Sequence, residues 1–296
     1  VDMAFAGINP VDRYGALGRV APEGPVPRTL GTEGSGVIDG RRVVVRGYGL
    51  GTARDGLWST QVVVPEQALI DVPEGVDLRS AAAMGVAGVT AWRTVTELAE
   101  VTEEDRVLVL GASGGVGSII VSVAKALEAT VWGQTGNQDK ADWVRERGAD
   151  RVVVCDASSL VDAAKELKPT AVFDPLGDGF SGAAIELLDP RGRLVVFGTS
   201  AEPKGEIPLQ ILYRHAITVH GYAGLIESDE RMAWYVNEAL AALAEGRLKV
   251  VVDQTLALDR INDAFRAIEH RKVQGKLVVD LGATKRWGGT DGSRTQ

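Results

Sequence analysis

The sequence predicts an α/β protein in which a doubly wound parallel sheet fills the middle of the chain and strand-rich segments flank it. Three observations predict this. An apolar run at residues 107–110 leads straight into a glycine-rich turn at 111–117. Strand and helix patterns then alternate as far as residue 197. Residues 7–36, by contrast, are dense in Gly and Pro and are followed by short β-rich runs.

In chain order, the first strands expected are 42–45 and 61–64, in an irregular, strand-rich domain. Residues 107–110, Val-Leu-Val-Leu, suit the central strand of a sheet covered on both faces. A helix follows, because Val116, Ile119, Ile120, Val123 and Leu127 recur at three- and four-residue intervals and give it one buried face. The second strand is expected at 129–134. Strands at 152–154, 171–173 and 194–197 then alternate with helices around 160–167 and 180–188. A β-rich stretch at 216–220 falls at the far edge of this sheet. Such an edge invites pairing with a second copy, so a homodimer is expected; an edge covered by the chain's own loops is the alternative. A helix at 229–243 carries the stripe Met232, Val236, Leu240 and Leu243, and strand character returns at 250–256. A helix at 259–270 and a strand at 276–279 complete the pattern, and residues 284–296 read as a flexible polar tail. The domains expected are therefore 1–92, 93–247, a return to the first domain over 248–283, and the tail.

The turn carries the chemistry. Ala112, Gly114 and Gly117 stand at the spacing of the dinucleotide fingerprint, with Ala112 in the first glycine position and Ser113, Gly115 and Val116 between them. Small residues there allow a tight turn, close approach of backbone N–H groups to a pyrophosphate, and close packing of helix on strand. The helix that follows aims the positive end of its dipole at the same point. The alternative is a structural turn that has lost its ligand. In parallel sheets of this kind the crevice lies beyond the carboxyl ends of the strands, which points at residues 174–177 and at Gly198, Thr199 and Ser200.

The end of the second strand bears on which dinucleotide is bound. An NAD site usually places Asp or Glu there to hold both ribose hydroxyls. Here the chain reads Gln134, Thr135, Gly136, Asn137, Gln138, Asp139, Lys140, with no acid at the strand end. An acid would repel a 2′-phosphate, whereas hydroxyl, amide and ammonium groups can bind it, so NADPH is preferred and Thr135, Asn137 and Lys140 are candidate contacts. The alternative makes Lys140 a solvated helix lysine and Asn137 an N-cap.

Composition narrows the partners. With 32 basic against 40 acidic residues, the net charge of −8 argues against nucleic acid or an anionic membrane surface and leaves a small molecule as substrate. Cys155 is the lone cysteine, which excludes an internal disulfide and a multi-thiolate zinc site and fits a reducing, cytoplasmic setting. His215, His220 and His270 are scattered, without the spacing of a metal site or a nucleophile triad. No apolar run reaches membrane-spanning length, and no charged-then-apolar signal opens the sequence.

Several segments together resemble the medium-chain dehydrogenase/reductase superfamily, and within it the zinc-free quinone oxidoreductase (zeta-crystallin-like) branch. They are Gly7-Ile8-Asn9-Pro10-Val11-Asp12-Arg13-Tyr14, Leu30-Gly31-Thr32-Glu33-Gly34-Ser35-Gly36, and Ala81 to Met84 with Gly88-Val89-Thr90-Ala91-Trp92. Further on come the GASGGVG turn, Asp174-Pro175-Leu176-Gly177, Val196-Phe197-Gly198 and Gln274-Gly275-Lys276, so the matches span nearly the whole chain in family order. The resemblance implies a groES-like β-rich catalytic domain built from both ends of the chain, around a Rossmann domain from the middle. Zinc-dependent relatives carry Cys and His ligands where this chain has Asn9 to Asp12 and Thr32-Glu33, so hydride delivery without metal is expected. The implied substrate is a quinone or an α,β-unsaturated carbonyl compound. The alternatives are an enoyl-thioester reductase of the same superfamily and a catalytically silent NADPH-binding protein.

By the same resemblance, Tyr14 would lie near the nicotinamide as a proton or hydrogen-bond donor, with a partly buried loop tyrosine that only packs as the alternative, and Asn9 would orient substrate or cofactor. Asp12 is expected to brace its loop through backbone N–H groups. Thr90 would contact the nicotinamide ribose, with a helix cap as the alternative. Gly198, Thr199 and Ser200 would offer backbone groups to the carboxamide. Gly275 and Lys276 match a pair that reaches the cofactor in relatives; a turn glycine with a solvated lysine is the alternative. Arg145 and Arg147 read as a solvated helix face able to assist Lys140, and Trp132 and Trp143 as packing residues. Three departures stand out: an amino-terminal hairpin is expected to be absent, the link at 38–41 is short, and Cys155 stands where some relatives place a tyrosine.

Overall fold

The computed structural model describes residues 1–20 and 26–282, and the expected tail lies outside them. Two compact units emerge. One holds Val1–Val86, Gln254–Lys272 and the described residues from Leu277; the other holds Ala87–Asp253 and Val273–Lys276. The joints expected at 92/93 and 247/248 fall at 86/87 and 253/254 in this division.

The first unit opens with strand β1 (Asp2–Ile8), which buries Met3, Ala4, Ala6 and Ile8. Asn9 caps helix α1 (Pro10–Ala16), with Pro10 at a position where the missing N–H costs nothing. Strands β2 (Glu33–Ile38) and β3 (Arg41–Arg46) form a hairpin whose register closes at Ile38 opposite Arg41. The short link is thus a two-residue turn, Asp39-Gly40, with both residues at positive φ as such turns require. Strand β4 (Leu69–Asp71) pairs with β3, and helix α2 (Leu78–Ala81) begins at Asp77, whose carboxylate accepts from Ser80 N–H.

The strand expected at 61–64 does not form. Along one edge of β1, residues Phe5 to Ile8 are taken by the last strand of the chain, so the 60–62 run meets only the start of β1. Met3 N–H donates to Thr60, Gln61 bridges Asp2, and Val62 exchanges bonds with Val1. Val63 is then fully exposed and Pro65 has no N–H to offer a ladder.

The chain enters the second unit along a helical run that passes through α3 (Val89–Arg93), with wider π turns on either side at Met84–Gly88 and Thr94–Leu98. Strand β5 (Arg106–Val109), helix α4 (Gly115–Ala126), β6 (Thr130–Thr135), α5 (Ala141–Glu146), β7 (Arg151–Val154), α6 (Leu160–Ala164), β8 (Ala171–Asp174), α7 (Gly179–Leu187), β9 (Arg193–Val196), α8 (Leu209–Arg214) and β10 (Thr218–Gly221) follow. Their sheet has the order β10-β9-β8-β5-β6-β7, parallel throughout. This is the doubly wound nucleotide-binding order, with its switch point between β5 and β8. Leu108, Val172 and Leu194 pack one sheet face against Leu160, Phe180, Ile185 and Leu188. On α4, Ile119, Ile120 and Val123 are buried as the periodicity demands.

Helix α9 (Asp229–Ala244) is capped by Ser228 and buries Met232, Val236 and Leu240; Tyr235 and Ala239 join that stripe, whereas Leu243 is only partly covered. The chain returns to the first unit through β11 (Val252–Ala257), α10 (Ile261–Glu269) and β12 (Lys276–Asp280), giving a sheet of order β11-β12-β1-β2-β3-β4. Among the described residues, no helix is long and apolar enough to cross a membrane.

The amino ends of the nucleotide-unit strands are locked by one carboxylate. Asp105 takes a forked pair of bonds from Arg193, 2.9 and 3.0 Å, and others from Thr170 Oγ1 and Thr102 N–H. Arg193 also donates to the Ala99 carbonyl. Burial pushes the Asp105 carboxyl up, but these hydrogen bonds and the Arg193 charge outweigh it, and its pKa settles below the ordinary value. A depressed folded pKa gives stability that is present at neutral pH and is lost as pH falls through that pKa. Asp105→Asn should therefore cost about 3 kcal/mol at pH 7. Denaturant titrations should also show the variant losing less further stability than the parent below about pH 4.

Candidate functional site

The glycine turn sits where β5 ends. Leu110 N–H donates to Phe173 of β8, Ala112 N–H to the Gln134 carbonyl of β6, and Gly114 N–H to Gly111. Helix α4 then starts at Gly115, with Gly114 as an N-cap that has no side chain to occupy the first-turn N–H groups. A Cβ on Gly117 would lie 2.5 Å from the Gly111 carbonyl oxygen and 3.0 Å from Ala112 Cα. The third position of the fingerprint is therefore closed to any side chain, and main-chain N–H groups are left at the helix tip, as a pyrophosphate cradle requires.

Two residues outside the fingerprint complete the turn. The Gln134 side chain is buried in β6; its Oε1 accepts from Gly111 N–H at 3.0 Å and its Nε2 donates to the Cys155 carbonyl at 2.7 Å. A Cβ on Gly133 would crowd Ala112 Cβ at 2.9 Å. Gln134 therefore pins the turn between strands. The sequence marked it only as a strand-end residue that is not an acid. Beside it, burial pushes the Cys155 thiol up.

Beyond β6, Thr135 is buried and Gly136, Asn137, Gln138 and Asp139 are exposed. Asn137 caps a short 3-10 turn, Gln138–Lys140, by accepting from Asp139 N–H at 2.9 Å, so its N-cap role holds. The solvated reading of Lys140 does not hold. Its side chain is buried, and Nζ donates to the Val273 carbonyl at 2.7 Å. Burial lowers its pKa, with Asp253 opposing the shift.

Residues 273–276 lie on this unit. Gly275 N–H donates to Ser113 of the glycine turn at 2.9 Å, and a Cβ on Gly115 would come within 2.9 Å of Lys276 Cδ. Lys276 is buried, which overturns the solvated reading of that lysine as well. Across the switch point, Asp174 is fully buried: Oδ1 accepts from Leu176 and Gly177 N–H, and Oδ2 from Ser181 Oγ. Burial raises its pKa while these bonds oppose the shift. Ser200 N–H and Ala201 N–H tie the segment holding Gly198, Thr199 and Ser200 to Pro175 and Leu176, and Thr199 and Ser200 are exposed there.

Thr90 is not a cap. The helical run already begins at Met84, so Thr90 lies within it, and its carbonyl accepts from Thr94 Oγ1. Arg145 pairs with Asp142, Arg147 lies over Trp143, and Arg151 lies 4.4 Å from the centre of the buried Trp132 ring.

In the first unit Asn9, Asp12 and Tyr14 share the start of α1. Asp12 braces as expected, accepting from Asn9 N–H at 2.8 Å and Thr32 N–H at 3.1 Å. Asn9 is buried; its side chain accepts from Asp12 N–H in a capping box, and Nδ2 donates to Glu33 Oε1 at 2.6 Å. Glu33, fully buried, also takes Val86 N–H at 2.7 Å. The sequence offered Glu33 only as a residue that is not a soft metal ligand. Tyr14 is partly buried on the same helix. His215 lies 3.4 Å from the Leu188 carbonyl, and among the described residues no three His, Cys, Asp or Glu side chains are grouped to hold a metal ion.

Comparison with known proteins agrees with this geometry. A family model described as zinc-binding dehydrogenase matches residues 115–236. Quinone oxidoreductase of Salmonella typhimurium is 31% identical over 299 residues, covering 94% of this chain and 90% of the relative. A crystal structure of Escherichia coli quinone oxidoreductase complexed with NADPH is similar at a TM-score of 0.80 and 27% identity, over 95% of this chain and 90% of that one. An NAD-dependent alcohol dehydrogenase reaches a TM-score of 0.84 at 26% identity over the same shares. Fold and turn thus define an α/β oxidoreductase with a Rossmann nucleotide unit. The chain belongs to the medium-chain dehydrogenase/reductase superfamily, in its quinone oxidoreductase branch.

Gly117→Ala tests the cradle. The added methyl meets main chain, so the variant should lose about 2 kcal/mol of stability. It should also bind pyridine dinucleotide at least about tenfold more weakly by calorimetry.

Proposed function

We propose that this chain is a zinc-independent, NADPH-dependent reductase that passes hydride to a quinone or an α,β-unsaturated carbonyl compound. The observation that carries the reading is a glycine cradle beside a β6 end, Thr135-Gly136-Asn137, that bears no carboxylate. A 2′-phosphate meets no like charge at that strand end, and the E. coli relative named above is described with NADPH. When bound, the cofactor supplies the hydride from its reduced nicotinamide ring.

The chain's own residues have three tasks. The turn from Ala112 to Gly117 holds the pyrophosphate by main-chain N–H groups. The segment holding Gly198, Thr199 and Ser200 offers backbone groups to the carboxamide, and Thr90 lies against the nicotinamide ribose. Tyr14 donates to the substrate oxygen as negative charge builds there, while Asn9, locked by Asp12 and Glu33, fixes the start of the helix that carries Tyr14. A lone cysteine suits a reducing, cytoplasmic setting.

A homodimer belongs to the same proposal. Strand β10 is an outer strand of the parallel sheet, and Val219 on it is exposed, as are Leu209 and Tyr213 on α8. An outer strand that exposes an apolar residue favours a second copy paired across a two-fold axis.

NADPH oxidation measured against quinones, enones and enoyl-CoA esters, with NADH in parallel, decides the substrate class. Turnover on quinones or enones with a preference for NADPH is expected, and dinucleotide binding with no turnover on any acceptor would refute the proposal. Tyr14→Phe should lower kcat about a hundredfold and leave the Kd for NADPH unchanged. Val219→Lys should move the protein from dimer to monomer in sedimentation velocity and leave its fold intact by circular dichroism.

A further inference from the structure

Lys140 stands at the spacing from the glycine turn where a cation would meet a 2′-phosphate, yet its ammonium is turned onto the main chain of residues 273–276. Each of those four residues is stitched to the nucleotide unit. The Val273 carbonyl takes Lys140 Nζ at 2.7 Å, and Gln274 N–H donates to Asp253 Oδ2 at 3.0 Å. Gly275 N–H donates to the Ser113 carbonyl at 2.9 Å, and Lys276 N–H to the Val251 carbonyl at 2.8 Å. Gly275 lies at φ +100°, and a Cβ there would sit 2.5 Å from the Val251 carbonyl oxygen, so the strap requires glycine at this point. Its far end presses Lys276 Cδ towards Gly115, the first residue of α4.

We propose that Lys140 is a positioning residue: it fixes the strap Val273–Lys276 against the phosphate turn, and so sets the affinity for NADPH and NADH alike rather than selecting between them. The physical case is preorganisation. Of the four bonds, the one from Lys140 is the only one made by a cation, and it holds the residue through which the strap enters the unit. Burial leaves the ammonium little water to fall back on, so the bond to Val273 is costly to break. A strap held in place keeps Ser113 and Gly115 fixed before any ligand arrives, and the pyrophosphate common to both cofactors then binds without an ordering cost.

The affinity arm rests on the proposed cofactor; the structural arm does not. Amide hydrogen exchange of the ligand-free protein, parent against Lys140→Met, should show exchange over residues 273–276 rising about tenfold, with β5, β6 and β8 unchanged. By calorimetry the Kd for NADPH and for NADH should rise by the same factor, about fivefold, the worth of one hydrogen bond. Unchanged exchange at 273–276, or a loss confined to NADPH, would overturn the proposal. Should Lys140→Met unfold, Asp253→Asn, which weakens the neighbouring stitch to Gln274, must give the same local rise and the same non-selective loss, and failure to do so refutes it. If the parent binds neither dinucleotide, the proposed function falls while the exchange result still decides the role of Lys140.

Discussion

The nucleotide end of the parallel sheet depends on one steric allowance, the absence of a side chain where α4 passes the turn that precedes it. A methyl at Gly117 would collide with the Gly111 carbonyl and push the helix off the strand. The helix tip would then no longer bring its N–H groups to one point, and no side-chain substitution elsewhere restores main-chain geometry. The neighbours serve that allowance. Gln134 ties Gly111 to β6 and to the residue after β7, and Gly133 makes room for Ala112.

The same sheet is built differently at its two ends. At the amino ends of the strands, Asp105 and Arg193 make a forked, largely buried ion pair that joins the loop before β5 to the starts of β8 and β9. At the carboxyl ends, the loops are held by single side chains together with their own backbone. Asp174 turns its carboxylate inward onto Leu176, Gly177 and Ser181, and the segment after β9 bonds back to Pro175 and Leu176. The largely buried ion pair lies at one end of the sheet, and the exposed loop residues Gly136, Asn137, Thr199 and Ser200 lie at the other.

How much of this was legible in the sequence follows the range of the interactions concerned. The strand into the turn, the alternation to β9, the edge position of β10 and the brace made by Asp12 depend on local pattern, and each is present. The expected strand at 61–64 has suitable residues but loses its lane on β1 to β12, from the other end of the chain. Long polar side chains were the least legible. Lys140 and Lys276 read as cofactor contacts with a solvated lysine as the alternative, because lysine usually is solvated, and only the fold reveals the carbonyl of Val273 and the helix start at Gly115 beside them. Glu33 and Gln134 had no spacing signal at all, since their partners lie on other strands or segments far along the chain. Thr90 read as a possible cap because π turns, which lengthen the helical run upstream of it, leave no mark in a single sequence.

The exposed residue after β6 has a consequence for how this protein can change. Gly136 has open space around the position of a Cβ and no left-handed backbone to forbid one. Its neighbour Gln134 is committed to holding the turn, and Thr135 is buried. The single codon at 136 can therefore acquire an acidic side chain without disturbing core, cap or cradle. Variation at the rim beyond β6 can begin at residue 136, whereas the main-chain geometry at Gly117 beneath it admits no side chain.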